Sequence, residues 1–175
     1  MTAHPLDDLD LLIAVANTAH DLSTPDELRD GTSAAAWWHD LSGERTPNLG
    51  SQADVELLRA ARAVIRRLGL RNNGVSTDVE LGPLATLPLN LILDARPGLA
   101  PPAGSSTPAR EIAGRAVAAL IRWSGNPQAA RLKACPGPDC AWVFHDTTRN
   151  RSRRWCDMAA CGNRAKAAAF RARAH

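Results

Sequence analysis

The apolar positions of this chain recur mostly at helical intervals. In Leu6–Ala19, Leu9, Leu12, Ile13 and Ala16 share one face, which predicts a first helix ending near Asn17-Thr18. Thr24-Pro25-Asp26-Glu27 reads as a capping box with proline at the first helical position, opening a helix that Gly31 interrupts and that resumes over 33–41. Ser51 caps a third helix to about Leu68, with Val55, Leu58, Ala61, Ile65 and Leu68 as its apolar stripe. Gly69 is read as its stop, and Arg62, Arg66 and Arg67 as its solvated face. After a turn at Arg71–Gly74, a helix shortened by Pro88 is expected over Pro83–Ala95. Gly98–Pro108 is irregular, and Pro108 opens a helix over Ala109–Trp123 with Ile112, Val117, Leu120 and Ile121 available for burial. Ser124–Pro127 ends it, and a short helical run continues to Lys133.

The pattern changes at residue 131. Ala141–His145 is a short strand signal, Asp146–Ser152 a polar turn, and Arg153-Arg154-Trp155 a returning strand, followed by a last helix over Asn163–Ala174. The fold class expected is therefore mainly α: a helical domain over 1–130, then a small treble-clef-like module over 131–175 made of a β-hairpin and a C-terminal helix. An alanine- and arginine-rich composition without tyrosine agrees with this. Trp37 and Trp38 read as core or interface aromatics rather than a ligand box.

Cysteine placement supplies the chemistry. Cys135, Cys140, Cys156 and Cys161 make the pattern C-x4-C-x15-C-x4-C. Two closely spaced pairs joined by a hairpin-length spacer suit a tetrahedral ion; the paired spacing favours zinc over an iron–sulfur cluster, and a reducing compartment disfavours two disulfides. Four protein ligands leave no open position, so the expected cofactor is one structural Zn2+ per chain. His145 reads as a hairpin residue rather than a ligand, and Trp142 and Trp155 as apolar cover for the knuckles.

Charge is divided between the two parts: residues 131–175 carry a net +7 and residues 1–130 a net −4. Such asymmetry points to a polyanion partner for the basic end. Arg149, Arg151 and Arg164 are the first candidates for nucleic-acid contact, with Arg153, Arg154, Lys166 and Asn163 beside them. Asn150 and Asn163 are suited to adenine edges. On the last helix, Arg164/Arg171 and Lys166/Arg173 form two stripes about 200° apart, so one is available to phosphate while the other offsets the thiolates. With the tryptophans committed to packing, single-strand stacking platforms are scarce, which favours double-stranded DNA over RNA.

At Cys161-Gly162-Asn163-Arg164 the chain resembles a known family. Residues 132–173 are similar to the CGNR zinc finger, whose run DTS-x-N-x-SRRWC-x-M-x-x-CGNRAK stands here with Thr148 and Arg151 as departures and with His145 where an aromatic is common. Such fingers usually follow a helical domain called ABATE, whose start often carries an Asn-Thr dipeptide after an apolar run, matched here by LLIAVANT ending at Asn17-Thr18. The resemblance implies a transcription regulator whose helical domain senses a small ligand or forms a homodimer. The alternative is a zinc-stabilised protein-interaction module without direct DNA binding. Enzymatic activity is not expected: no catalytic constellation stands out, and His20-Asp21 and His39-Asp40 read as surface pairs. Neither a signal peptide nor a bilayer-spanning run is visible, so a cytoplasmic protein with reduced thiols and no membrane partner is expected.

Overall fold

A computed structural model describes residues 6–19, 25–93, 98–102 and 107–173. Among them are five α-helices and two separate two-stranded antiparallel sheets. Helix α1 (Asp8–Ala16) begins where the Asp7 carboxylate accepts from the Asp10 amide and ends at Asn17, as its apolar spacing predicts. It packs with α3 (Gln52–Asn72) and α4 (Pro108–Ser124) around Leu12, Val15, Leu58, Ile65 and Ile112. Ala109, Ala113, Ala116 and Ala119 are fully buried on α4, and their small side chains let the helices approach closely. Trp38 is buried on α2 (Gly31–Ser42), with its indole N–H on Glu44 and the Arg115 guanidinium over its ring.

Several local expectations need correction. The helix expected from Thr24-Pro25 does not form over residues 25–30; Thr24 itself lies outside the described residues. Asp26 instead accepts from the Leu28 amide and binds Arg62 through both oxygens, at 2.6 and 2.7 Å. The cap of α2 is Asp30, and Gly31 is its first residue, pressed so close to Asn48 that an added Cβ would lie 2.2 Å from the amide oxygen.

The second correction is at Gly69, which does not stop α3. The helix runs on to Asn72, and Gly69 is where strand β3 (Leu132–Ala134) crosses it: a Cβ there would meet the Ala134 amide at 2.7 Å. The cap at Ser51 is present as a full capping box with Asp54.

Third, the arginines of α3 are not one solvated face. Arg62 holds Asp26 and the Thr18 hydroxyl, and Arg66 donates to the carbonyls of Ala16 and Ala19 at the end of α1. Arg67, half-buried like the other two, donates to the Asp78 carbonyl at the surface.

Fourth, the helix expected over Pro83–Ala95 shrinks to a 3-10 turn at Gly82–Thr86. Pro88 lacks the N–H needed to continue it, and the chain forms strand β1 (Asn90–Ile92), paired with β2 (Gly98–Ala100).

The second sheet pairs β3 with β4 (Val143–His145), in the register Leu132↔His145 and Ala134↔Val143. The partner of β4 thus precedes the first cysteine, and Arg153–Trp155 is not a strand. Leu132, Ala134 and Val143 belong to the same apolar core as α1, α3 and α4. Asn17 reinforces this join. Its amide donates to the Val143 carbonyl at 2.9 Å and accepts from the Val143 amide at 2.8 Å, standing in for a neighbouring strand. Among the described residues no helix is long and apolar enough to cross a membrane.

Candidate metal centre and basic surface

The β3–β4 connection is the first knuckle. Its turn closes with the Cys140 amide on the Gly137 carbonyl and the Cys135 amide on the Trp142 carbonyl. Asp139 and Ala141 take positive φ, 59° and 49°. Gly137 lies under the sulfurs: a Cβ there would sit 3.2 Å from the Cys161 sulfur and 3.4 Å from that of Cys135.

The second knuckle is built differently. Asp157 caps a single π-type turn, Met158–Gly162, by accepting from the Ala160 amide, and that turn runs directly into α5 (Asn163–Arg173). Met158 and Trp155 fold over Gly162, where an added Cβ would lie 2.5 Å from the Met158 sulfur and displace that side chain.

The two knuckles converge. The ligating sulfurs of Cys135, Cys140, Cys156 and Cys161 all lie within 4.8 Å of one another. Cys140–Cys156 and Cys156–Cys161 are 3.5 and 3.7 Å apart. A zinc–thiolate tetrahedron with bonds of about 2.3 Å has sulfur–sulfur edges of about 3.8 Å, whereas a disulfide needs about 2.05 Å. Donor chemistry and spacing therefore fit one zinc ion held by these four residues, and no fifth ligand is called for. His145 is not in the cluster; it stands edge-on to Trp123. Phe144, Trp142 and Trp155 cover the sulfurs with apolar surface, the role expected for both tryptophans.

Residues 131–174 match the family model of the CGNR zinc finger. No curated protein matches the chain. The CGNR segment thus begins at the turn leading into β3 and takes in both knuckles and α5.

Electrostatics inside the CGNR segment sort its cations into two groups. Arg164, in the CGNR tetrapeptide itself, donates to the Cys161 sulfur at 3.1 Å. Burial would raise the Cys161 thiol pKa, but this bond and the neighbouring sulfurs bring it below the ordinary value. Burial pushes Cys140 up to about 11, so metal loading displaces protons. Arg153 is also committed: its guanidinium lies 4.4 Å from the Phe144 ring centre and donates to the carbonyls of Trp155 and Cys156. By contrast, Arg149, Arg151, Arg154, Asn163 and Lys166 are exposed, and among the described residues none supplies a hydrogen-bond or ion-pair partner to their side chains.

A pair that sequence reasoning passed over holds this surface in shape. Lys133 and Asp146 are buried and joined at 2.7 Å. The Lys133 ammonium uses its other two donors on the carbonyls of Arg151 and Arg153, at 2.5 and 3.0 Å. Asp146 also accepts from the Thr148 hydroxyl and amide and from the Arg153 amide. Burial works to raise the Asp146 pKa, but the bonds from Lys133 and Thr148 and the Lys133 charge prevail and bring it down to about 2. The loop from Asp146 to Arg153 is thereby wrapped around one ammonium group. Arg151 sits at its tip with φ 53°. Asn73, capping α3, adds a further tie by donating to the carbonyls of Ala134 and Arg154. The only sequence signal for the pair was the Asp that opens the DTS-like run.

Proposed function

We propose that the protein is a DNA-binding transcription regulator, with the CGNR segment as its duplex-contacting part. The observation that carries this reading is the loop of residues 146–154. It is rigidly held from within by Lys133 and Asp146, while Arg149, Arg151 and Arg154 point outward without partners among the described residues. Fixed cations spaced along a loop suit phosphate contacts, which position a protein on a duplex. Zinc here is structural, and the function involves no catalytic step. The helical part, taken as an ABATE-type domain by the resemblance at Leu11–Thr18, senses a ligand or brings two copies together. Pairing would suit a single small finger, which offers few base contacts. A site of four reduced cysteines would suit a reducing compartment such as the cytoplasm.

The deciding experiment is duplex DNA affinity of the zinc-loaded protein across a salt series. Phosphate contacts release counterions, so affinity should fall steeply and linearly on logarithmic axes. A flat dependence, or no binding at low salt, would favour the second reading, a zinc-stabilised protein-interaction module. One observation supports that alternative: Leu91 and Leu93, 66% and 78% exposed, stand beside Ile92 on and after β1.

A further inference from the structure

Helix α5 is unlike the other four α-helices among the described residues. None of its residues is buried, and its neighbour is the π-type turn that leads into it. It carries Arg164, Lys166, Arg171 and Arg173 and no acidic residue. A helix this exposed would ordinarily be hydrophilic, yet Phe170 stands 69% exposed in its second half. Five of its eleven residues are alanine, so its cylinder is slim.

Its two sides have different work. Arg164 is turned inward to the Cys161 sulfur. At about 100° per residue, Lys166, Phe170 and Arg173 fall within about 60° of one another on the far side, the i, i+4, i+7 row of a docking face. That row places one large apolar ring between two cations, on the side turned away from the zinc cluster.

We propose that this outer face of α5 enters the major groove of duplex DNA, with Lys166 and Arg173 on the groove-lining phosphates and Phe170 against thymine methyl groups. The proposal rests on the DNA reading above and assigns within it a division of labour: the 146–154 loop grips the backbone and α5 reads sequence. Charge complementarity selects the occupant, since a helix with four cations and no acid is matched to a polyanion and is repelled by basic partners. Shape agrees. The major groove is about 12 Å wide and admits one helix, and alanine side chains leave the backbone free to sink into it. Apolar contact with the thymine methyl is the one base contact in that groove that a phenyl ring makes well.

The test is selection of bound duplexes from a randomised library by the full-length, zinc-loaded protein, in parallel with Phe170→Ala, Lys166→Ala/Arg173→Ala and Arg149→Ala/Arg151→Ala. Zinc content and helical signal establish folding for each variant, and all the altered residues are exposed. The expected result is a parent motif containing thymine, and a Phe170→Ala protein that loses about tenfold of its preference at one or two thymine positions while keeping its salt slope. Lys166→Ala/Arg173→Ala should flatten the slope by about two units, as should the loop pair, without changing the motif. If Phe170→Ala selects the same motif with the same discrimination, α5 does not read sequence and the proposal is overturned while the DNA reading stands. If Phe170→Ala turns a parent dimer into a monomer at unchanged DNA preference, the face belongs to a second copy and the proposal is likewise overturned. Absence of any salt-dependent duplex binding by the parent would overturn both.

Discussion

The two halves of the CGNR segment share one metal site but stand in opposite relation to the rest of the molecule. The first half, β3, the Cys135–Cys140 knuckle and β4, is built into the helical core: Leu132, Ala134 and Val143 are at most 2% exposed, Gly69 of α3 lies against Ala134, and Asn17 of the α1 cap pairs with Val143. The second half, from Trp155 onward, rests on the sulfur cluster, and its helix has no buried residue. The segment is therefore not packed as a separate finger: its first half shares the helical core, and the four cysteines join the exposed, basic second half to it.

Removing zinc should break this comparison open with the largest effect. Cys161→Ala, or chelation, forfeits structural metal binding of about 10 kcal/mol or more. Amides of residues 156–173 should then exchange freely while those of α1, α3, α4 and the β3–β4 pair stay protected. Simultaneous loss of protection in α3 would show a single cooperative unit and erase the distinction between the halves.

Next in size is Asp146→Ala, which leaves the buried Lys133 ammonium without its counter-charge and should cost about 3–5 kcal/mol in chemical denaturation. The same pair makes a pH prediction. The folded-state pKa of Asp146 lies below its ordinary 3.8, at about 2. Its stabilisation is therefore complete above pH 4 and lost as pH falls toward 2. The stability difference between the parent and Asp146→Asn should shrink through that window and be constant above it. A difference independent of pH across it would mean that Asp146 is not ionised against Lys133.

Gly69→Ala comes third. A methyl directed at the Ala134 amide, 2.7 Å away, should cost about 1–3 kcal/mol by forcing β3 off α3, while zinc stoichiometry stays at one. A neutral result would mean that the first half is less firmly joined than the packing shows.

The parts legible in the sequence are those fixed by local chemistry. The Ser51 cap, the apolar faces of α1 and α3, the Pro108 start of α4 and the four cysteines depend on residues a few positions apart, and each stands where its pattern places it. The features that escaped were set at a distance. Gly69 read as a helix stop because its real constraint, the crossing strand, is contributed by residues 133 and 134. Arg62 and Arg66 read as solvated because their partners, Asp26 and the end of α1, are far along the chain. Lys133 and Asp146 were two charges in a sum until the fold placed one against the other. For the candidate site, the zinc ligands were plain, but Arg153 and Arg164 could be separated from the free cations only once Phe144 and the Cys161 sulfur were in place.

The smallest effect on stability falls on the free cations, and it bears most on function. Arg149→Ala/Arg151→Ala should change stability by no more than about 0.5 kcal/mol and leave zinc in place, since both side chains are exposed. The measurement that tests the account most directly is the salt dependence of duplex DNA affinity for the zinc-loaded parent beside this double variant. The account predicts a steep parent slope that becomes shallower by about two units in the variant, with affinity for all duplexes reduced alike. Equal slopes and equal affinities in a folded, zinc-bound variant would contradict it and take the 146–154 loop out of nucleic-acid recognition.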